Sequence, residues 1–383
     1  MSEKKKTLTL IFSNVEEAHL GKDVFLVPYY LGKELGCDVS IYFPQTETNK
    51  TLPHTHRGVK LRPIPRSKTG SKYIRRKKTL LKLLKVFRES DVLMLFHYYY
   101  MMTPYMGVIY KILKPTGKLY VKMDASLIAL KSEDDYSNIF EKIWKNSWHW
   151  MFSKMVDCIT CETRSSYEMI MKSKATMYKF RRNLFIMPNA FDDEMLDEVG
   201  IQPKSFEEKQ NQFLTVGRIG SPEKNNEMLL RALSRVDMKD WTIKIVGPYD
   251  DLFAAKIQQF FEDNPEKKKS VFFTGNIIDK KQLWEIYNSS KVFVFTSVTE
   301  SYALVYVESN VFKDYILSTD VGSFQDVTEK GKFGDSVPQN DDNMLAEKMQ
   351  AIIDGKTNVN VYPSDYRGLM WTEVIKPVAN KLR

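Results

Sequence analysis

Cysteine is scarce in this chain: Cys37, Cys158 and Cys161 are the only ones in 383 residues. A disulfide framework is thereby excluded, and a cytosolic compartment is the expectation. Long hydrophobic runs are missing as well. With no stretch of about eighteen apolar residues, no membrane-spanning helix is predicted, and the charged first six residues do not read as a secretory leader. The first predicted strand, residues 7–13, is followed by no G-x-G-x-x-G, which disfavours a dinucleotide-dependent dehydrogenase. Nor does any RNA- or DNA-binding motif accompany the positive charge, so nucleic acid is not expected as a partner.

What the chain does have is apolar content and cations. Hydrophobic residues make up 43% of it, enough for two domains with cores of ordinary size. The formal net charge is +9 and the isoelectric point about 9.1, which points to an anionic partner. The charge is concentrated, since positions 57–88 hold thirteen Lys and Arg and no acid precedes Glu89. Within that span, residues 71–88 set Ile74, Leu81 and Leu84 among others at helical spacing. They predict an amphipathic helix with a cationic polar face, a candidate for an anionic membrane surface. A helix predicted over 139–156 carries Trp144, Trp148 and Trp150 among lysines and is a second candidate lipid contact, core packing being the commoner fate of such a run. Cys158 and Cys161 fall in a predicted strand, where positions three apart point to opposite faces. They are expected as core thiols rather than as a metal or redox pair.

The chemistry gathers in residues 292–310, VFVFTSVTESYALVYVESN. The run Val292-Phe293-Val294-Phe295 predicts a strand buried on both faces. A polar loop over 296–300 follows, then a helix predicted over about 301–312. Strand, loop and helix N-terminus make a phosphate-binding geometry, because first-turn N–H groups are unpaired and carry the positive end of the helix dipole. Glu300 lies in the loop and Glu308 in the helix. Eight helical residues rise roughly 12 Å, about the span from sugar to ribose in a nucleotide-sugar, so one carboxylate could take sugar hydroxyls and the other ribose hydroxyls.

Glu300 and Glu308, with seven residues between them, resemble the E-x7-E signature of retaining GT-B glycosyltransferases of the family 4 type. Further pieces occur in the order that family has them. FLTVGR at 213–218 with Glu223-Lys224 is similar to its "VGR…EK" segment, and IKIVG at 243–247, VFFTGNI at 271–277 and the segment 283–289 just before the strand at Val292 follow. LFIMPNAF at 184–191 resembles the segment that ends the family's first domain. The resemblance implies an α/β fold of the GT-B kind, two Rossmann-like doubly wound domains facing each other across a cleft. Residues 1–200 would hold the acceptor, 201–364 the nucleotide-sugar, and 365–383 a helix crossing back to the first domain. It also implies retaining transfer of a hexose from a nucleotide-diphosphate sugar, UDP favoured, with no cofactor or metal. The acceptor would be a glycan or lipid-linked molecule in polysaccharide, glycolipid or lipopolysaccharide assembly.

Carried over residue by residue, the resemblance assigns Gly217, Arg218 and Lys224 to the diphosphate and Asn276 and Ile277 to the base. Glu308 takes the ribose, and Glu300 with Tyr302, Ala303 and Leu304 the sugar. Asp124, at the end of a strand predicted over 118–123, is the acceptor-side candidate, orienting the acceptor or stabilising positive charge on the sugar. The chain also departs from the pattern. Ser301 and Ala303 stand where the family has glycine, which implies a tighter or shifted donor pocket, and the Gly-Pro turn after Glu308 is absent. Rival readings are a non-catalytic GT-B subunit that stabilises an active partner, and an epimerase or pyridoxal-dependent phosphorylase on the same fold.

Overall fold

The computed structural model describes residues 5–65, 72–98, 102–123 and 139–383, the side chains of 72–80 and 176 excepted. The chain divides into two compact units, Met1–Asn189 with Trp371–Arg383 and Ala190–Met370.

Unit 1 runs β1 (Thr7–Ile11), α1 (Asp23–Leu35), β2 (Asp38–Pro44), β3 (Thr55–His56), β4 (Val59–Ile64), α2 (Lys72–Glu89), β5 (Val92–Phe96), α3 (Met102–Leu113), β6 (Lys118–Lys122), α4 (Ile139–Met155), β7 (Cys158–Cys161), α5 (Arg164–Lys172) and β8 (Leu184–Ile186). The strands pair in the order β3-β4-β2-β1-β5-β6-β7-β8, parallel except for β3 against β4. All four residues of β7 are buried and both its cysteines are free thiols. Burial pushes the Cys158 thiol up to about 12, which keeps it protonated and inert.

Unit 2 runs α6 (Asp193–Val199), β9 (Gln212–Val216), α7 (Asn226–Arg235), β10 (Thr242–Val246), α8 (Asp251–Asp263), β11 (Val271–Gly275), α9 (Lys280–Ser289), β12 (Val292–Phe295), α10 (Leu304–Val311), β13 (Tyr315–Thr319), α11 (Phe324–Val327), β14 (Gly334–Val337) and α12 (Asp342–Ile353). Its six strands are all parallel, in the order β11-β10-β9-β12-β13-β14. Successive strand residues go to opposite faces, so Phe213, Val292 and Val294 enter one core cluster while Leu214, Phe293 and Phe295 enter another. A sheet covered on both faces is what an uninterrupted apolar run such as 292–295 requires.

The division falls earlier than the expected boundary near residue 200. Phe191, Leu196 and Ile201 pack with Leu214, Phe293 and Tyr306, so residues 190–200 go with unit 2, as do residues 365–370. The end of the chain belongs to unit 1. Two short helices form there, α13 (Trp371–Val374) and α14 (Lys376–Leu382), rather than one. Pro377 sits in the first turn of α14, where its missing N–H costs nothing. Trp371 is fully buried against Tyr30, and Arg383 pairs with Glu34.

Charge separates the units. Unit 1 has 36 Lys and Arg against 18 Asp and Glu; unit 2 has 21 against 30, which together account for the chain's 57 and 48.

Candidate active site

In unit 2 the chain winds outward from β9 through β10 to β11, then returns to place β12 on the other side of β9. β9 and β12 therefore flank the point where strand order reverses, and open α/β sheets bind ligands outside the carboxyl ends of such a pair. Gly217 and Arg218 follow β9; residues 296–300 follow β12. Two hydrogen bonds tie these loops together: Val298 N–H donates to the Glu223 carbonyl at 2.8 Å and the Thr296 hydroxyl to the Lys224 carbonyl at 3.0 Å.

Across that seam the Lys224 ammonium pairs with the Glu300 carboxylate, and the Ser297 hydroxyl donates to the same carboxylate at 2.7 Å. The two ionic side chains are 16% and 14% exposed, and Lys224 also lies over the Phe295 ring, 4.9 Å from its centroid. Arg218 is 71% exposed and pairs with Glu223. Two glycines allow the close approach. At Gly247, with φ +145°, a Cβ would lie 1.7 Å from the Gly217 carbonyl oxygen; at Gly322, with φ +58°, it would lie 2.8 Å from the Glu300 Cβ.

The helix that carries Glu308 starts later than predicted. α10 begins at Leu304, and Ala303 is its N-cap in the left-handed region at φ +64°, with no side chain capping the first turn. Only the second half of the Glu300-to-Glu308 interval is helical, so the 12 Å rise expected for eight helical residues does not apply. An alanine at positive φ costs about 1–2 kcal/mol, and it stands where the family pattern has glycine. Tyr302 is buried in the core and its carbonyl accepts from the Ser323 hydroxyl, so what it can offer a ligand is backbone. Leu304 is half-buried.

Glu308 is held by three donors that sequence reasoning missed. Its Oε1 accepts from Lys280 Nζ at 3.1 Å and from Trp284 Nε1 at 3.3 Å; its Oε2 accepts from the Tyr287 hydroxyl at 3.1 Å. Residues 280, 284 and 287 stand at i, i+4 and i+7 on one face of α9, a spacing that could have identified them. Burial first, then the Glu308 charge, raises the Tyr287 pKa well above its ordinary value, so this hydroxyl stays a donor. A carboxylate has about four lone-pair sites, and three donors leave it room for a further hydroxyl. Asn276 is exposed on the loop between β11 and α9, and Ile277 packs on the cluster that contains Trp284.

On unit 1, Asp124 lies outside the described residues, as do Tyr99, Tyr100 and Met101. Tyr98 is packed against the core and donates to the Met177 carbonyl. Sequence reasoning also missed Lys122, wholly buried at the end of β6 and paired with Asp23 at 2.8 Å and with Glu162. An apolar cavity of about 470 Å³ opens at the carboxyl ends of β1, β2, β4 and β5, lined among others by Phe12, Tyr42, Phe43, Ile64 and Phe96. Among the described residues, no helix is long and apolar enough to cross a membrane.

Residues 198–364 match the family model described as glycosyl transferases group 1. No curated protein matches the sequence. Among solved structures, the chain is similar to Anabaena Alr3699/HepE in complex with UDP and glucose, at 13% identity over 98% of this chain and 99% of that one, with a TM-score of 0.65. It is similar also to the lipopolysaccharide outer core galactosyltransferase WaaB in its apo form, at 14% identity over 98% of both chains and a TM-score of 0.68. A third likeness is to sucrose-phosphate synthase (tll1590) from Thermosynechococcus elongatus, at 15% identity over 99% of this chain and 95% of that one, with a TM-score of 0.61. Identities this low establish the fold, which is GT-B. With residues 198–364 forming a glycosyl transferases group 1 domain on that fold, the chain is a glycosyltransferase.

Proposed function

We propose that the chain is a retaining enzyme of the family 4 type that moves a hexose from a UDP-sugar to a glycan or lipid-linked acceptor without a metal. The observation that carries this reading is the set of three cation–carboxylate pairs, Arg218–Glu223, Lys224–Glu300 and Lys280–Glu308, on the loops and helices beside the switch point. A diphosphate at the uncapped start of α10 competes with Glu300 for Lys224, and the released Glu300 takes sugar hydroxyls. Glu308 accepts from the ribose, and Asn276 and Ile277 meet the base.

In the transfer, the acceptor oxygen bonds to the anomeric carbon as the bond from that carbon to the diphosphate oxygen breaks. The bonding pair leaves on the diphosphate, whose own oxygen takes the acceptor proton, so the configuration is kept and no protein base is needed. Lys224, Arg218 and the first N–H groups of α10 stabilise the developing charge in place of a metal. Asp124 orients the acceptor. UDP is favoured as the donor nucleotide because Alr3699/HepE has been solved with UDP and with UDP-glucose. The apolar cavity of unit 1 suits the lipid portion of an acceptor. The cations of residues 57–88, with Lys82, Lys85 and Arg88 exposed, suit an anionic membrane surface in polysaccharide, glycolipid or lipopolysaccharide assembly.

The test is a thermal-shift panel of UDP, GDP, ADP and their sugar conjugates, since a ligand of the folded state alone raises its stability. A shift with UDP and one UDP-hexose, followed by sugar release that survives EDTA, is the expected result. A shift confined to GDP or ADP compounds removes the UDP assignment.

A further inference from the structure

α4 is apolar on the side it turns to solvent. Ile139, Ile143, Trp150 and Lys154 stand at i, i+4, i+11 and i+15 on one stripe of the helix, with Phe140, Trp144 and Ser147 on the stripe beside it. Phe140 is 80% exposed, Ile143 and Trp144 59%, and Trp150 52%. The opposite side does the packing: His149 and Phe152 are buried, Trp148 meets Tyr105 edge-on at 4.6 Å, and Glu141 pairs with Lys145. A helix on the surface of a globular domain normally has the reverse arrangement, and an exposed apolar strip of this kind, interrupted at Asn146 and Ser147, marks a contact surface.

The carboxyl end of that strip leads into a cation cluster. Lys154 lines an open concavity of about 620 Å³ at the amino-terminal edge of the unit 1 sheet, together with Lys111, Lys118 and Lys381. Among the described residues Asp157 is the one carboxylate in its lining, and it is already engaged by Lys111 Nζ at 3.0 Å, by Lys118 Nζ at 3.9 Å and by Leu119 N–H at 2.7 Å. Lys381 lies over the Phe185 ring, 5.3 Å from its centroid. The cluster is therefore an anion-attracting pocket on a unit with twice as many cations as anions. α3, packed between α4 and the cationic α2, adds exposed Met102 and Ile112.

We infer that the outward face of α4 and the lysine pocket at its carboxyl end form a docking surface for an anionic phospholipid bilayer. The indoles and aliphatic side chains enter the interfacial layer, where Trp is favoured, and the exposed Lys154 and Lys381 receive phosphate headgroups. This sharpens the membrane part of the reading above by assigning the contact to α4 rather than to residues 57–88. The donor thermal shift reports on unit 2 whichever way the membrane result falls.

The experiment is co-sedimentation of the full chain with vesicles of phosphatidylcholine alone or mixed with phosphatidylglycerol, alongside tryptophan emission. The protein should pellet with the mixed vesicles, its emission should shift to the blue, and added salt should release it. Ile143→Ser with Trp150→Ser should weaken binding by about tenfold or more at an unchanged melting temperature. Lys154→Glu with Lys381→Glu should remove the preference for phosphatidylglycerol. Indifference of the wild type to both vesicle types overturns the inference even if either pair of substitutions fails to fold. So does loss of binding in Lys82→Glu with Lys85→Glu while the α4 variants still bind. A dimer in solution that Ile143→Ser with Trp150→Ser breaks, without vesicle binding, assigns the face to a second copy and also overturns it.

Discussion

The two units handle charge in opposite ways. Unit 1 carries 36 cations against 18 anions; unit 2, which carries the proposed donor site, has 21 against 30. The proposed diphosphate site is compatible with a net negative unit because what counts at contact distance is placement. Lys224, Arg218 and Lys280 are each already paired with a carboxylate, and on the proposed reading the diphosphate takes Lys224 from Glu300 while Lys280 stays on Glu308. In unit 1 the cations exceed their partners, and the excess acts as a field on an extended surface. The two proposals thus place anion recognition by position and anion attraction by number in different units of one chain.

The sharpest way to break this comparison is to remove a placed charge from unit 2. Lys209 is buried, donating to Asp314 at 2.5 Å and to the carbonyls of Ser290 and Phe312. Lys209→Met strands a buried carboxylate and should cost about 3–5 kcal/mol in urea unfolding. Lys85→Met on unit 1, whose exposed ammonium is 3.9 Å from Glu89, should stay within about 0.5 kcal/mol. Equal losses in the two variants would erase the distinction.

Next in size is the donor site. Lys224→Ala should lower kcat by about 10²–10³-fold, the effect of deleting one preorganised group facing the departing charge, with the circular dichroism spectrum unchanged; wild-type turnover would take Lys224 out of the site. Tyr287→Phe removes one of three donors to Glu308. It should raise the donor KM by about fivefold, near 1 kcal/mol, with little change in kcat. A fall in kcat at constant KM would mean that Glu308 acts on the sugar rather than the ribose. The smallest effect expected within unit 2 is a gain: Ala303→Gly relieves the left-handed N-cap but loosens the unfolded chain, leaving at most about 1 kcal/mol of stabilisation, read as a higher melting temperature.

Much of the frame was legible because it rests on local rules. Val292 to Phe295 could be read as a doubly buried strand, and the order of glycine-ended strands through Gly217, Gly247 and Gly275 placed the loops of unit 2. The start of α10 was not legible. Residues 301–303 have ordinary helix-compatible side chains, yet the Ser323 contact to the Tyr302 carbonyl and the left-handed Ala303 delay the helix to Leu304. The spacing of residues 280, 284 and 287 puts them on one face of α9, but that this face meets Glu308 was hidden, because α9 and α10 come together only in the folded unit.

α4 shows the limit most clearly. Its periodicity specifies a helix with apolar residues on more than one side, but which side turns inward is chosen by what α3 and the sheet offer to pack against, and that left Trp150 outside and Phe152 inside. The sequence alone determined the element types, their order and the chemistry available in each loop, since these follow from propensity, spacing and residue type. Only the tertiary structure decided which carboxylate meets which cation and which apolar face stays uncovered, because both depend on distances between segments that no local pattern encodes.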